Sequence, residues 1–441
     1  MNEIKTISSI GASRRPPFLQ LIFVDINGVP KGMEVPIGRY EEAITEGIAF
    51  DGSSIPGFQG IEDSDLVFKA DPSTYAEVPW EGVARVYGYI YKDGKPYKAD
   101  PRGVLKKVLE RLEKAGFKAY IGPEPEFYLF KKNGTWELQL PDTGGYFDIV
   151  TLDKARELRR EIAHYMSALG MVPEVLHHEV GKGQHEINFR YDEALKTADN
   201  IVSFKHVVKA TAEMHGLHAT FMPKPLYGFP GNGMHLHISL WKDGENAFKG
   251  EDGLSETALH FIGGILKHAR ALAALTNPTV NSYKRLVPGY EAPVYISWGY
   301  RNRSTLVRVP VFWGNGARIE YRCPDPSANP YLAFAAVLMA GLDGIKRKLE
   351  PSSYVETNVY EMSEAERDRL GIKTLPKSLE EALEELRRDK VVRNALGGAY
   401  ENFIEYKERE WGEYIQYLSS KGIPEDTIKV TEWELERYFF I

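Results

Sequence analysis

Glu124 and Glu126, in the segment Gly122–Phe130, lie two residues apart, so an extended strand would point both carboxylates to one side. The Tyr-Leu-Phe run that follows argues for a buried strand. Two buried like charges then require protons, a Lys or Arg, or a divalent cation. Alone, the segment reads equally well as an edge strand with its glutamates in water. Glu179 and Glu186 flank a glycine-containing loop, which alone reads as a solvated hairpin turn. His235, His237 and Ser239 would share one strand face opposite Leu236, Ile238 and Leu240. That His-x-His layout suits metal ligands and core histidines alike. Arg318, Glu320 and Arg322 alternate as cation, anion, cation, a pattern that salt-bridge ladders also produce. The Pro- and Gly-punctuated stretch Asn281–Pro293 carries Arg285 and Glu291 and reads as a mobile flap. Arg301, Arg303 and Arg308 follow, with forked donors suited to carboxylate and phosphate.

The set says more than its parts. Glu124, Glu126, Glu179, Glu186, Glu320 and His235 would form hard, oxygen-rich sites that favour Mg²⁺ or Mn²⁺ over zinc. Arginines around such metals point to phosphoryl chemistry. No GxxxxGK[ST] loop occurs, and the lone GxG at Gly231–Gly233 is not a dinucleotide fingerprint. Read from residues alone, the chain is a metal-dependent phosphoryl-transfer enzyme.

The elements that must hold these groups are legible by period. Residues 17–35 predict two strands around a tight Asn27-Gly28 turn, and 83–92 another strand. Residues 102–115 carry helical spacing that stops at Gly116. Composition changes from strand-rich to mixed near Asp100-Pro101, which places a domain boundary there: 1–100 and 101–441. Residues 154–169 and 197–216 predict amphipathic helices, 256–275 and 329–348 more buried ones, and 378–420 an outer helical layer.

The 441 residues carry a formal charge of −7, which excludes a globally basic nucleic-acid binder. The single cysteine, Cys323, excludes an internal disulfide and a multi-thiolate metal site. The longest apolar run, Tyr331–Leu342, is far short of the ~18–20 residues a membrane span needs, and the N-terminus lacks an apolar signal core. The expectation is a cytoplasmic protein with small-molecule substrates and neither nucleic-acid nor membrane partners.

The same segments, in the same order, resemble the type I glutamine synthetases of bacteria and archaea over nearly the whole chain. The likeness is carried by Phe50–Ile55, Gly122–Phe130, His178–Val180, Gly183–Ile187, Gly233–His235, Asn277–Pro293, Asn302–Ser304 and Arg318–Leu332. It implies an α+β fold: a small N-terminal β-grasp-like domain, then a larger catalytic α/β domain with a curved antiparallel sheet and surrounding helices. It implies two divalent metal ions, Mg²⁺ or Mn²⁺, per active site. Glu126, Glu179 and Glu186 match the ligands of the first, and Glu124, His235 and Glu320 those of the second, beside the ATP phosphates. Arg285, Glu291, Arg303, Arg322 and Gly231 match positions that handle glutamate and reaction charge, with Glu291 as the flap acid. Asp51, with Ser54, Tyr146 and Glu179, matches the ammonium pocket, with Asp51 supplied by a neighbouring subunit. Glu174, Tyr191, His237, Ser239, Arg308 and Arg318 match ATP contacts. The implied assembly is a homo-oligomer, a dodecamer of two hexameric rings. The implied reaction is ATP-dependent ligation of ammonium to glutamate through a γ-glutamyl phosphate.

The chain departs from the family pattern in places. The usual Asn-Gly-Ser-Gly-Met-His loop reads Pro230-Gly-Asn-Gly-Met-His235, and the residues after Tyr360 differ from those of the adenylylated subgroup. Three rivals remain at this stage: a same-fold ligase for amines or polyamines, a non-catalytic relative, and a metal-dependent hydrolase. No metal ligand or flap acid is missing, which speaks against the second. A hydrolase would not need the arginine and flap set.

Overall fold

The structure is a computed structural model that describes residues 16–132, 138–251, 253–289 and 292–441. Among these, two sheets carry the architecture. The first holds β1 (Phe18–Val24), β2 (Pro30–Pro36), β3 (Ile48–Asp51), β4 (Asp65–Ala70), β5 (Ala76–Val78), β6 (Val83–Lys92) and β7 (Lys95–Pro96). Its spine runs β2-β1-β6-β4-β3. The β1–β6 pair is parallel and the others antiparallel.

The first hairpin differs from the expected tight turn. Asp25–Val29 separates the strands, and the Asp25 side chain accepts from the backbone N–H groups of Asn27 and Val29 at 2.9 and 3.0 Å. Gly28 has φ +79°, and a Cβ there would lie 2.7 Å from the Asn329 Cα. The turn packs directly against the catalytic part of the chain. Asn329 completes the contact by donating its amide to the Asp25 carbonyl at 3.1 Å.

The second sheet holds β8 (Lys118–Lys131), β9 (Pro173–His178), β10 (Gln184–Phe189), β11 (Asp192–Glu193), β12 (Leu217–Thr220), β13 (Met234–Lys242), β14 (Glu245–Asn246), β15 (Trp298–Tyr300), β16 (Val307–Val309) and β17 (Ile319–Tyr321). Its order is β15-β16-β17-β13-β8-β10-β9, antiparallel except for β15–β16. Helices Pro101–Lys114, Arg156–Ala168 and Ala194–Met214 pack on this sheet. Glu256–Thr276 and Pro330–Arg347, both mostly buried, cross each other in the core, and Leu379–Arg388 and Tyr400–Lys421 lie outside them. The helices expected at 102–115, 154–169, 197–216, 256–275 and 329–348 form within a few residues of those bounds, the outer layer 378–420 divides into several helices, and short helices such as Tyr40–Thr45 and Glu432–Tyr438 had no sequence expectation.

Asp100 joins the first sheet to the helix that follows it. Its side chain caps the helix Pro101–Lys114 through the Arg102 N–H at 3.1 Å and accepts from the Ile90 N–H of β6 at 3.2 Å. The buried Arg102 bridges Asp71 of the first part and Asp199 of the second, at 2.9 Å to each. One hydrophobic core runs through both parts. No described helix is long and apolar enough to cross a membrane.

Candidate functional site

The open face of the second sheet carries the predicted carboxylates because its register lines them up. On β8, Glu124 faces His235 of β13, and Glu126 faces Glu186 of β10. Glu186 in turn faces His177 of β9. On the other side, Glu320 of β17 lies between His237 of β13 and Arg308 of β16. Period-two alternation therefore brings side chains from six strands to one face. Above them is a cleft of about 850 Å³ lined by Glu124, Glu126, Glu179, Glu186, His235 and Glu320, together with Tyr146, Arg285, Arg303 and Arg322.

Two groups of ligand atoms form in this cleft. Glu124, His235 and Glu320 each offer an atom within 4.8 Å of the others, and so do His177, Glu179 and Glu186. Glu126 stands beside the second trio, accepting from the Gly233 N–H at 2.8 Å and the Gln184 amide at 3.1 Å. The sequence expectation had not included His177, whose ring lies 3.2 Å from Glu186 and 3.5 Å from Glu179. Only its place beside His178-Glu179 hinted at it; the β9–β10 register that brings it to Glu186 is not written in a single sequence.

The electrostatics of the two groups differ. Burial, with Glu126 and then Glu186 adding repulsion, pushes Glu179 up to about 9. Burial and the charges of Glu124 and Glu126 likewise raise Glu186 well above the carboxylate range. In the other group burial acts against ionisation, but neighbouring histidines and arginines outweigh it. His237 and His235 hold Glu124 well below its ordinary value, and Arg322, His235 and His237 bring Glu320 to about 2. Arg322 donates to Glu320 at 2.7 Å, and Arg308 binds the other carboxylate oxygen. Arg318 Nε donates to His237 Nδ1 at 3.2 Å, which leaves His237 Nε2–H to donate to Glu124 at 2.9 Å.

A second, smaller cavity of about 310 Å³ adjoins the cleft and shares Glu124 with it. Glu174, Tyr191, His237, Ser239 and Arg318 line it. Tyr120 forms its wall, edge-on to both Tyr191 and Trp241, with ring centroids 6.0 and 5.7 Å away. Arg308 does not reach this cavity and lies in the main cleft with Glu320. At the cleft's other end, a Cβ on Gly231 would meet the Pro223 carbonyl at 2.6 Å and Arg285 Cγ at 2.8 Å, so the loop accepts no side chain there. Arg285 is buried and donates to the Cys323 carbonyl at 2.7 Å. The Tyr360 hydroxyl donates to the Ala292 carbonyl at 2.8 Å at the cleft rim. Asp51 and Ser54 are exposed in the N-terminal part and do not line this chain's own cleft. Glu291 lies outside the described residues.

Two family models match the chain. The glutamine synthetase β-grasp domain covers residues 16–93, and the glutamine synthetase catalytic domain covers 98–438. The chain belongs to the glutamine synthetase family. The glutamine synthetases of Thermococcus kodakarensis and Pyrococcus abyssi are 79% and 76% identical to it, each alignment covering 100% of both chains. The glutamine synthetase of Thermotoga maritima is 49% identical over 99% of this chain and 100% of its own. Among solved structures, one titled "GmaS/ADP complex-Conformation 1" superposes with a TM-score of 0.87 at 36% identity, covering 98% of each chain. The N-terminal sheet is thus the glutamine synthetase β-grasp, and the second sheet with its helices is the catalytic fold. Glutamine synthetases use ATP and divalent metals, and the His and carboxylate groups of this cleft are of the type that holds such ions.

Proposed function

We propose that this cleft ligates ammonium to L-glutamate at the expense of ATP, giving glutamine, ADP and phosphate through a γ-glutamyl phosphate. The observation that carries the reading is the pairing, in one cleft, of an uncompensated acid cluster with an acid group already ringed by histidines and arginines. Buried carboxylates pushed toward protonation fit a hard divalent cation, and two such sets fit two Mg²⁺ or Mn²⁺ ions. Glu126, Glu179 and Glu186, with His177 beside them, would hold the first. Glu124, His235 and Glu320 would hold the second. Bound there, the ions would supply charge neutralisation for the phosphates and the transferring group.

The chain's own residues account for the rest. A carboxylate is a poor electrophile, so glutamate must first be phosphorylated. Arg322 and Arg308, fixed on Glu320, are placed to offset charge on the moving phosphoryl group. Arg285, Arg303 and the bare backbone at Gly231 bind glutamate. Tyr191, Glu174, His237, Ser239 and Arg318 bind the nucleotide, with Tyr191, Tyr120 and Trp241 around the base. Ammonium cannot attack while its lone pair holds a proton. Asp51 of a neighbouring subunit, with Ser54, Tyr146 and Glu179, collects it and takes that proton. Glu291 closes the site against water. Asp51 and Ser54 stand apart from their own chain's cleft, which supports a shared active site and a ring assembly, two stacked hexamers making a dodecamer. The functional units are 1–100, the β-grasp-like domain, and 101–441, the catalytic domain, working in the cytoplasm.

The test is a steady-state assay of glutamate with ATP and Mg²⁺, offering ammonium against a panel of small amines and polyamines. Glutamine formed from ammonium with stoichiometric phosphate is expected. Turnover with an amine alone would reassign the ligation.

A further inference from the structure

Behind the acid cluster, on the reverse face of the same strands, lies a buried set of charged and ring groups that the reaction does not touch. β9 and β10 pair so that His178 faces His185, while Glu186 faces His177 one residue along. Alternation turns His177 and Glu186 to the cleft and His178 and His185 to the back. Each back residue is therefore the chain neighbour of a candidate ligand: His178 of Glu179, His185 of Glu186.

The contacts are specific. His178 Nδ1 donates to the Glu179 carbonyl at 2.7 Å, and its Nε2 to Asp142 Oδ1 at 3.0 Å. The same Asp142 oxygen accepts from the Gly183 N–H at 2.8 Å, so one carboxylate ties both ends of the ligand-bearing loop 179–183. His185 Nδ1 accepts from Arg159 at 2.8 Å, and Arg159 is fixed by Asp153 at 3.0 Å. All five of these residues are buried.

Asp142, His178 and His185 also place three ligand atoms within 4.8 Å of one another, the spacing of a metal site. Their hydrogen bonds exclude that use. A guanidinium only donates, so His185 Nδ1 accepts and its Nε2 carries the proton. Both His178 nitrogens donate to oxygens. Neither ring keeps a lone pair for a cation. One donor is left over: His185 Nε2–H is buried without a partner, 4.0 Å from Asp142.

We propose that Asp142, His178, His185 and Arg159 form a positioning unit that sets the spacing of the Glu179 and Glu186 carboxylates for the first divalent cation. The inference rests on the metal reading above. Two mutually repelling carboxylates have no reason to converge unless their backbones are held, and this network holds both from behind. Outer partners of this kind govern affinity at the ion they never touch.

The test is direct Mn²⁺ binding to the full chain, followed by the free-ion spin resonance signal, for wild type, Asp142→Asn, His185→Leu and His185→Gln. In the variants Asp142→Asn and His185→Leu, one class of Mn²⁺ site is expected to weaken by about 10- to 100-fold while the other stays within about twofold. His185→Gln can still accept from Arg159 and donate toward Asp142, and is expected to recover most of the loss. Unchanged affinities, with melting temperatures lowered equally with and without Mn²⁺, would overturn the proposal and leave the network purely structural. If Asp142→Asn does not fold, equal binding by His185→Leu and His185→Gln overturns it. If wild type itself binds no Mn²⁺, the metal reading fails, which is distinct from failure of the network.

Discussion

The two acid groups of the cleft are built from the same residue types and sit on adjacent strands, yet they are opposites. Glu179 and Glu186 have carboxylates for neighbours and are pushed up, whereas Glu124 and Glu320 have His235, His237 and Arg322 and are pulled down. Proximity of acids therefore does not define a site; the local charge balance does. The first group has no arginine or lysine partner, an imbalance that a bound cation would complete. The second is already balanced, so a cation added there leaves net positive charge to face an anion such as a nucleotide phosphate.

Substitutions can break this contrast. Glu186→Gln replaces a carboxyl whose ionisation burial and its acidic neighbours disfavour. Activity is expected to fall at least about 100-fold, more than the loss of an outer partner produces, while the metal-free protein melts higher than wild type. Steady-state rates and thermal melts in chelator check both. A lower metal-free melting temperature would show that the cluster is already compensated. Arg322→Gln removes a cation where cations balance the acid. A loss of about 10²–10³ in kcat is expected, the scale seen when one donor to developing charge is deleted. Here metal-free stability should fall, because the buried Glu320 loses one of its two arginine partners.

Glu291→Ala tests the flap. ATP binding is expected to persist while acyl phosphate leaks to water, so phosphate release exceeds glutamine formation. Unchanged coupling would remove the flap role. The smallest effect expected is on stability against pH. Glu179 is raised when folded, so the metal-free folded state holds more protons than the unfolded one. Its contribution is present below the unfolded value near 4.5 and is lost as pH rises toward about 9. The melting temperature in chelator should decline over that window and the decline should vanish with Mg²⁺. Parallel curves would contradict the charge imbalance.

Much of this was legible in the sequence. Strand alternation placed Glu124 with Glu126, and His235 with His237 and Ser239, on shared faces, because a period of two depends on no distant contact. The family motifs named both sets of carboxylates. Two things were not legible. The Asn27-Gly28 turn opened because it docks on Asn329, some three hundred residues away in sequence, which local turn preference cannot register. His177 and the Asp142–His185 network depend on which strand pairs with β10 and in what register, and nothing in a single sequence states that pairing.

The most direct measurement is calorimetric titration of the cation-free protein with Mg²⁺ or Mn²⁺ at pH 7, in buffers of different ionisation enthalpy, for wild type and Glu179→Gln. The account predicts that wild type binds with release of protons, because Glu179 near 9 is protonated until the cation arrives, and that Glu179→Gln loses this class of site. Binding of equal stoichiometry and affinity in both proteins, with no proton released, would contradict it.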